Sequence, residues 1–384
     1  MRRKICVVTG SRAEYGILRP ILFEITRTSD LHLLIIATGM HLSPHFGYTI
    51  KDLEKDGFKP EAIVDMELDS SGGLGMAKSI GIGIIGLSQA FDKCKPDILL
   101  IVGDRIEALA ATIAASYLNI PVAHIHGGDK SEGGHVDDNV RHAITKLAQI
   151  HFAATQESGE RIIKMGEDPS KVYVVGAPAL DTILNEKLVA PQKIFKKYSI
   201  DATKPFVIVV QNPVTREYED AQDQMKEILE AIISLQIQSL VIYPNADMGG
   251  QRIIEVIHEY ENYPYIKTFQ NIPHKDFLSL MRVAGAIVGN SSSAISEAPS
   301  FGLPAINVGS RQRGRERAQN VIDVPYSRNE IRDAIIKALH DNEFREKVKS
   351  SGSPYGDGHA SERIVKILLE INITSELLKK KITY

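Results

Sequence analysis

Small polar residues and one carboxylate make up residues 289–297, the segment Gly-Asn-Ser-Ser-Ser-Ala-Ile-Ser-Glu. An apolar run typical of a buried strand precedes it, so the serines are predicted to lie where a helix begins. Backbone N–H groups at such a turn can bind an anion, and the hydroxyls of Ser291 and Ser292 add donors. Glu297 could accept hydrogen bonds from a diol. This order predicts a nucleotide-diphosphate site; the alternative is an N-capped helix with a surface glutamate.

Charged residues also follow two predicted strands in the first half of the chain. Arg12 lies in the segment Gly-Ser-Arg-Ala-Glu-Tyr-Gly, and a cation at this place suits a phosphate. The alternative is a solvated arginine beside an N-capping serine. Asp104 and Arg105 follow a second strand in Gly-Asp-Arg-Ile-Glu. Asp104 is either an N-cap or an acid or base at the mouth of a cleft.

Two histidines and an aspartate end the next predicted strand, in the segment His-Ile-His-Gly-Gly-Asp. His124 and His126 would share one face of a strand, and with Asp129 they could ligate a metal. Because no cysteine cluster or His-Glu-x-x-His motif accompanies them, we expect no metal. A buried hydrogen-bonding role is the preferred interpretation of His124, whereas His126 and Asp129 are predicted to be titratable groups of the site.

An acidic helix start with a basic turn follows, at residues 137–142. Asp137 and Arg141 lie four residues apart on one helix face, and His142 lies on another. A plain surface ion pair is the alternative. Together with Asp104 and Asp129, these groups form a cluster of titratable side chains. In such a cluster, different surroundings can make one group an acid and another a base.

Polar loops follow strands in the second half as well. Asn212 lies in Gln-Asn-Pro-Val-Thr-Arg, and Asn245 lies in Tyr-Pro-Asn-Ala-Asp. Arg311 belongs to a stretch with four arginines in seven residues, 311–317. The stretch has no aromatic residues and the net charge of the chain is −3, so we expect phosphate contacts and no nucleic-acid partner.

Strand-like and helix-like segments alternate along the chain, which predicts an α/β fold with parallel sheets. We expect two Rossmann-like, doubly wound domains that face a central cleft, where ligands bind at the carboxyl ends of the strands. The predicted domains are 1–185 and 203–360. A C-terminal helix, 361–384, is expected to pack back on the first domain. The predicted strands and helices are Lys4–Thr9, Ala13–Arg27, Leu31–Thr38, Asp97–Val102, Ile106–Tyr117, Pro121–Ile125, Asp137–Leu147, Ile150–Ala154, Phe206–Val210, Ser239–Tyr243, Tyr265–Thr268, Ala284–Val288 and Pro304–Val308.

The amino-acid composition also indicates the cellular compartment of the protein. The 384 residues include only two cysteines, Cys6 and Cys94, which suits a reducing, cytoplasmic compartment. No segment is expected to be a signal peptide or a membrane-spanning helix, so no membrane partner is predicted. Six glycines within 72–86 favour a flexible loop leading into a closely packed helix, with a mobile lid as the alternative.

Taken together, these motifs resemble the UDP-N-acetylglucosamine 2-epimerase family, in particular its hydrolysing, sialic-acid-type branch. The resemblance runs in order over roughly residues 4–325 and implies the two-domain glycosyltransferase-B fold. It is carried by the segments Gly10-Ser-Arg-Ala-Glu-Tyr, Gly103-Asp-Arg, His124-x-His-Gly-Gly, Asp137-Asp-x-x-Arg-His-Ala-Ile-Thr-Lys, Gly289-Asn-Ser-Ser-Ser, Glu297-Ala-Pro-Ser and Gly309-Ser-Arg-Gln-x-Gly-Arg.

The resemblance also implies roles for these residues and a reaction. UDP would leave by anti elimination to give a glycal, and water would then add with inversion at C2 to release N-acetylmannosamine. No cofactor is expected. The protein is expected to be a homo-oligomer, either a dimer or a tetramer. The implied diphosphate contacts are Arg12, Ser291 and Ser292, and the implied ribose contact is Glu297. Further polar contacts are implied for Arg105, Asn245 and Arg311, and the implied sugar side is Asp104, Asp129, Asp137 and His142.

Two positions depart from the family pattern. Relatives often have glutamate where His126 stands, and they commonly have histidine where Asn212 stands. Asn212 cannot titrate, although it can still bind phosphate. Asp104 and Asp137 are the predicted C2 bases. Substrate alternatives are UDP-N-acetylglucosamine and a UDP-2,4-diacetamido-2,4,6-trideoxyhexose of the legionaminic acid pathway. A non-hydrolysing epimerase, a glycosyltransferase and a non-catalytic sensor are the remaining alternatives.

Overall fold

The computed structural model describes residues 2–43, 48–66, 73–130, 136–185, 187–244 and 249–384. The chain forms two compact units. The first unit contains Met1–Thr182 and Tyr355–Tyr384, and the second contains Ile183–Pro354. The last thirty residues of the chain thus belong to the first unit.

The first unit is built on a parallel sheet of seven strands with the order β3-β2-β1-β4-β5-β6-β7. Its central strands are apolar on both faces, as expected where helices cover both sides of a sheet. The strands are β1 Arg3–Thr9, β2 Leu31–Thr38, β3 Ala62–Val64, β4 Ile98–Val102, β5 Val122–Ile125, β6 Ile150–Ala153 and β7 Val172–Val174.

The second unit is built on a parallel sheet of six strands with the order β10-β9-β8-β11-β12-β13. It repeats the winding of the first sheet and has a separate apolar core. The strands are β8 Phe206–Val210, β9 Gln238–Ile242, β10 Ile266–Phe269, β11 Ala286–Gly289, β12 Ala305–Val308 and β13 Val321–Val324.

Helices connect the strands of both sheets. Short 3-10 segments add to them at Gly39–Leu42, Pro169–Lys171, Thr215–Asp220 and Ala298–Phe301. The helices are α1 Arg12–Arg27, α2 Ile50–Lys55, α3 Gly73–Cys94, α4 Ile106–Tyr117, α5 Val136–Leu147, α6 Gln156–Lys164, α7 Pro178–Asn185, α8 Pro191–Lys197, α9 Ala221–Leu235, α10 Gly250–Tyr260, α11 His274–Met281, α12 Ser293–Ser296, α13 Arg328–His340, α14 Asn342–Ser350, α15 Ala360–Glu370 and α16 Ser375–Leu378.

Each sheet reverses its winding direction at one place. The reversal lies between β1 and β4 in the first unit and between β8 and β11 in the second. In open parallel sheets ligands bind beside this switch point, at the carboxyl ends of the strands. The loops that leave these four strands begin at Gly10, Gly103, Gln211 and Asn290, and they carry most of the predicted site residues.

The α/β fold class predicted from the sequence is confirmed, and the predicted strands match the observed ones within one or two residues. The sequence-based prediction misses β3, β7 and β13. β3 and β7 have three residues each, and all three lie at the edge of a sheet. Edge strands are covered on fewer sides, so their sequences lack the continuous apolar run that marks a central strand.

Helix α3 departs from the sequence-based prediction in two ways. It contains the predicted glycine-rich loop from Gly73 onward. Its stretch Leu74–Cys94 also has the length and apolar composition of a membrane-crossing helix, a likeness that the sequence-based prediction missed. The second half of α3 explains part of this composition, because Leu87 and Phe91 are buried in the core of the first unit.

The C-terminal tail is tied to α5 by a buried ionic cluster. The Glu167 carboxylate accepts hydrogen bonds from Lys380 and His151, and Lys380 Nζ also donates to the carbonyls of Thr145 and Lys146 at the end of α5. Burial opposes ionisation of Glu167, but its basic neighbours outweigh burial and lower its pKa to about 2. The stabilisation is therefore present above the ordinary glutamate pKa of 4.5 and is lost as the pH falls toward 2.

We predict that Lys380→Ala lowers the stability of the first unit by about 1–3 kcal/mol, because Glu167 loses a charged donor and α5 loses its cap. Differential scanning calorimetry measures the effect. Lys379→Ala is the matched control, since Lys379 is exposed and pairs with the exposed Glu376. An equal loss in both variants would contradict this account of the tail.

Candidate active site

The side chain of Arg141 joins three loops and helices of the first unit. Its guanidinium donates to the carboxylates of Asp104 and Asp138, and to the backbone carbonyl of Asp129 at 2.8 Å. Arg141 is 8% exposed. A buried guanidinium with three acceptors fixes the ends of β4 and β5 against the start of α5. The predicted surface pair of α5 is therefore a buried junction, and Asp138, which the sequence-based site set omits, is part of it.

His126 and Asp129 form a hydrogen-bonded pair beside this junction. His126 Nδ1 donates to Asp129 Oδ2 at 3.0 Å, and Ser158 Oγ donates to Asp129 Oδ1 at 2.8 Å. Burial disfavours the ionised form of Asp129, but the bonds from His126 and Ser158 outweigh it and lower the Asp129 pKa. The Nδ1–H bond leaves His126 Nε2 as the ring nitrogen with a lone pair in the neutral form.

The alternation of side chains along a strand predicts that His124 and His126 share one face. In the structure the two histidines do not share a strand face. β5 ends at Ile125, and His126 has a φ of 63°, in the left-handed region that few non-glycine residues adopt. His124 is buried, donates from Nε2 to Gly103 O at 2.8 Å and accepts from Thr145 Oγ1 at 3.2 Å. Burial lowers the pKa of His124 to about 3, so it is neutral and serves the structure.

The other two predicted groups of α5 are not among the acceptors of Arg141. Asp137 is exposed in the first turn of the helix. His142 is half-buried, and burial lowers its pKa. Within the described ranges its Nδ1 has no hydrogen-bond partner. Among all the residues that the structure describes, no three His, Cys, Asp or Glu side chains lie close enough together to hold a metal ion.

Two arginines at the ends of β1 and β4 differ in their surroundings. Arg12 is 81% exposed, with Nε 3.8 Å from the Asp52 carboxylate. Arg105 is the N-cap of α4, a position that the sequence suggested for Asp104. Its Nη2 and Nε donate to both carboxylate oxygens of Glu107 at 3.0 and 3.2 Å. Glu107 is buried and is a site neighbour that sequence reasoning missed.

Asn290 organises the switch point of the second unit. Its side-chain oxygen accepts from the backbone N–H of Asn212 at 2.7 Å, and its Nδ2 donates to Asn212 O at 2.8 Å. Its own carbonyl accepts from Gln312 Nε2 at 2.8 Å and from Arg311 at 3.4 Å. Asn290 is fully buried. The structure thus brings Asn212, Arg311 and the serine segment together through a residue that the sequence-based site set left out.

The serine segment lies at the start of a short helix, α12. Ser292 is the exposed N-cap of α12, which has four residues, and Ser291 Oγ accepts from the Ser293 N–H at 3.3 Å. Glu297 ends this single turn, because Pro299 follows in a 3-10 turn. Burial raises the pKa of Glu297, and within the described residues its Oε2 has no hydrogen-bond partner. Asn245 lies outside the described residues.

The sequence is similar to those of known proteins. The model of the UDP-N-acetylglucosamine 2-epimerase family matches residues 23–369. A hydrolysing UDP-N,N'-diacetylbacillosamine 2-epimerase from Legionella pneumophila is 40% identical over 99% of both chains. A hydrolysing GDP/UDP-N,N'-diacetylbacillosamine 2-epimerase from Campylobacter jejuni is 35% identical over 98% of both chains.

A solved structure shows the same fold. The crystal structure of UDP-GlcNAc 2-epimerase from Neisseria meningitidis bound to UDP-GlcNAc has a TM-score of 0.81 and 21% identity, over 96% of this chain and 100% of that chain. The chain belongs to the UDP-N-acetylglucosamine 2-epimerase family. It is an enzyme of the hydrolysing branch of that family, as its motifs predicted.

We predict that Asp138→Asn destabilises the first unit by about 1–3 kcal/mol, because Arg141 loses a buried counter-charge. The exposed neighbour Asp137 is the matched control, and Asp137→Asn should change stability by less than about 0.5 kcal/mol. Calorimetric unfolding of both variants tests the difference. The account of Arg141 is wrong if the two substitutions cost the same.

Proposed function

We propose that the protein hydrolyses a UDP-linked 2-acetamido sugar with inversion at C2. The observation that carries the proposal is the group of charged side chains at the switch point of the first unit, where Arg141 holds Asp104 next to the His126–Asp129 pair. Family membership supplies the reaction type. The sugar is proposed to bind at this group, and the UDP at Asn212, Ser291, Ser292 and Glu297 of the second unit.

The proposed reaction has two stages, and its atoms balance. A base removes the proton from C2 while the bond between C1 and the diphosphate oxygen breaks, which gives a glycal and UDP. Water then adds its oxygen to C1, and C2 receives a proton on the opposite face. The products are UDP and the free C2-epimeric sugar. Arg12 and Arg105 are proposed to stabilise the charge of the leaving diphosphate.

Inversion at C2 needs one group that takes a proton and another that returns it on the opposite face. Asp104 is the weaker candidate for either task, because it forms an ion pair with Arg141. Asp137 is exposed, and His126 has Nε2 available while Asp129 holds its Nδ1–H. We assign the two proton transfers to Asp137 and to the His126–Asp129 pair, each with a typical contribution of about 10²–10⁴-fold.

Two sugars are candidates for the substrate. The names of the relatives at 40% and 35% identity favour UDP-N,N'-diacetylbacillosamine, a UDP-2,4-diacetamido-2,4,6-trideoxyhexose. The family name favours UDP-N-acetylglucosamine, with N-acetylmannosamine as the product. Identity with the first class is higher and extends over the whole chain, so we place UDP-N,N'-diacetylbacillosamine first. The product would enter nonulosonic acid synthesis of the legionaminic or sialic acid type in the cytoplasm.

The purified protein should convert one of these substrates to free UDP and a C2-deuterated free sugar in D₂O, which ¹H NMR follows for both substrates in parallel. Asp137→Asn should lower turnover by about 10²-fold or more and still bind UDP. Release of an intact UDP-linked epimer would show the non-hydrolysing reaction. UDP binding without turnover of either sugar would indicate a sensor or a transferase.

We also propose that the enzyme is a homo-oligomer that associates through an exposed stripe on α3. Leu74, Ile82 and Ile85 are 72%, 38% and 63% exposed along one helix face. Lys78 and Asp92 lie on the same face, seven residues before and after Ile85. In an antiparallel pair of α3 helices with the two-fold axis at Ile85, each Lys78 would oppose Asp92 of the second copy, so the stripe is self-complementary.

We predict that Ile85→Lys converts the oligomer to a monomer, because a charge at the two-fold axis would meet its own copy. Size-exclusion chromatography with light scattering measures the mass. Ile336→Lys is the matched control, since Ile336 is 41% exposed on a helix of the second unit. A wild-type protein that is monomeric at micromolar concentration would refute this interface.

A further inference from the structure

Two buried carboxyl groups lie beneath the loop that follows β1. Glu14 of α1 and Glu107 of α4 are 7% and 3% exposed. Both groups meet at Gly10: the Glu14 carboxylate accepts from the Gly10 N–H at 2.8 Å, and a Cβ at Gly10 would come within 2.6 Å of the Glu107 side chain. We refer to Glu14 and Glu107 as the carboxyl pair.

Among the described residues, Arg105 is the cation that acts on both members of the carboxyl pair. Arg105 donates two hydrogen bonds to Glu107, and its charge also acts on Glu14. His41 lies on the other side, where it bonds Thr9 and Thr49. Burial lowers the pKa of His41 to about 4, so it is neutral at physiological pH. The guanidinium of Arg105 therefore faces two carboxyl groups that are themselves buried.

Close packing fixes this arrangement. Glu107 fills the space that side chains at Gly10 and Gly39 would need, since a Cβ at Gly39 would lie 2.5 Å from its Oε1. Glu14 also closes the start of α1, because its N–H donates to Ser11 Oγ at 3.3 Å while its carboxylate holds the Gly10 N–H. The two side chains thus determine where the backbone of the loop and the guanidinium of Arg105 lie.

We infer that Glu14 and Glu107 are positioning residues, and that a proton on Glu14 sets the charge beneath Arg12 and Arg105, the two arginines proposed to stabilise the diphosphate. The inference rests on the proposed function, because it assumes that UDP binds at these arginines. The negative charge of Glu107 and burial both oppose ionisation of Glu14. With one proton the pair balances Arg105, whereas without it the pair carries an excess negative charge that repels a diphosphate.

Glu14 is the member of the pair that holds the proton. Burial and the charge of Glu107 raise its pKa to about 7, against smaller opposing effects of the Gly10 N–H, Arg105 and the Ser11 N–H. Asp104 adds negative charge near Arg105. Below pH 7 the site therefore lacks the excess negative charge, and above pH 7 it gains it. UDP binding to the wild-type protein should weaken as Glu14 loses its proton.

The test compares UDP affinity of the wild-type protein and of Glu14→Gln, which is the uncharged isostere, by isothermal titration calorimetry between pH 5.5 and 8.5. The ratio of the two dissociation constants cancels the ionisation of UDP itself. We divide the dissociation constant of the wild-type protein by that of Glu14→Gln. This ratio should be near one at pH 5.5 and rise by about threefold to tenfold at pH 8.5, with the midpoint of the rise near pH 7. A purely structural role of Glu14 would give a ratio that does not change with pH.

A second comparison tests the coupling inside the pair. In a Glu107→Gln background the repelling charge is gone, so the midpoint of the Glu14 effect should move to lower pH by roughly one unit. The melting temperature shows whether each variant is folded, and Glu14→Gln alone decides the inference if Glu107→Gln does not fold. If UDP binds but the ratio of the two dissociation constants does not change with pH, the inference is overturned and the proposed function remains intact. A folded wild-type protein that does not bind UDP overturns the proposed function instead.

Discussion

The buried guanidinium of Arg141 is the interaction on which the candidate active site depends. It binds acceptors that follow β4 and β5 and one in the first turn of α5, so it joins three separate segments of the chain. Leaving any of these acceptors unpaired would be costly in a buried site, so the partners must arrive together. The order of the strands makes this possible, because β4 and β5 are neighbours and the chain returns from β5 through α5.

In the second unit, neutral groups connect the loops at the switch point. Asn290 uses its amide and its carbonyl to connect the loops after β8, β11 and β12. At this place Gly289 has a φ of 122°, and a Cβ there would lie 2.2 Å from the carbonyl oxygen of Val210. The close approach of the two loops therefore requires glycine. A neutral connector suits a site proposed to receive an anion, because the side chain of Asn290 itself adds no negative charge there.

The two ends of α5 link the site to the C-terminus of the chain. Arg141 lies near the start of the helix, whereas Lys380 binds carbonyls near its end and also the buried Glu167. The C-terminal tail thus supports the element that carries Asp137, Asp138 and Arg141, although it contributes no group to the proposed chemistry. Stability of the tail and integrity of the site are coupled through this one helix.

The sequence by itself determined the α/β class, the central strands, the family and the loops that carry the candidate site. Continuous apolar runs mark strands covered on both faces, and motif order is preserved along the chain whatever the folded contacts are. Tertiary structure alone decided which charged residues meet. Asp138 and not Asp137 binds Arg141, His126 leaves its strand in a left-handed conformation, and Glu14 lies against Glu107. These outcomes depend on which side chains the fold buries and on what surrounds them, and spacing within one segment does not encode them.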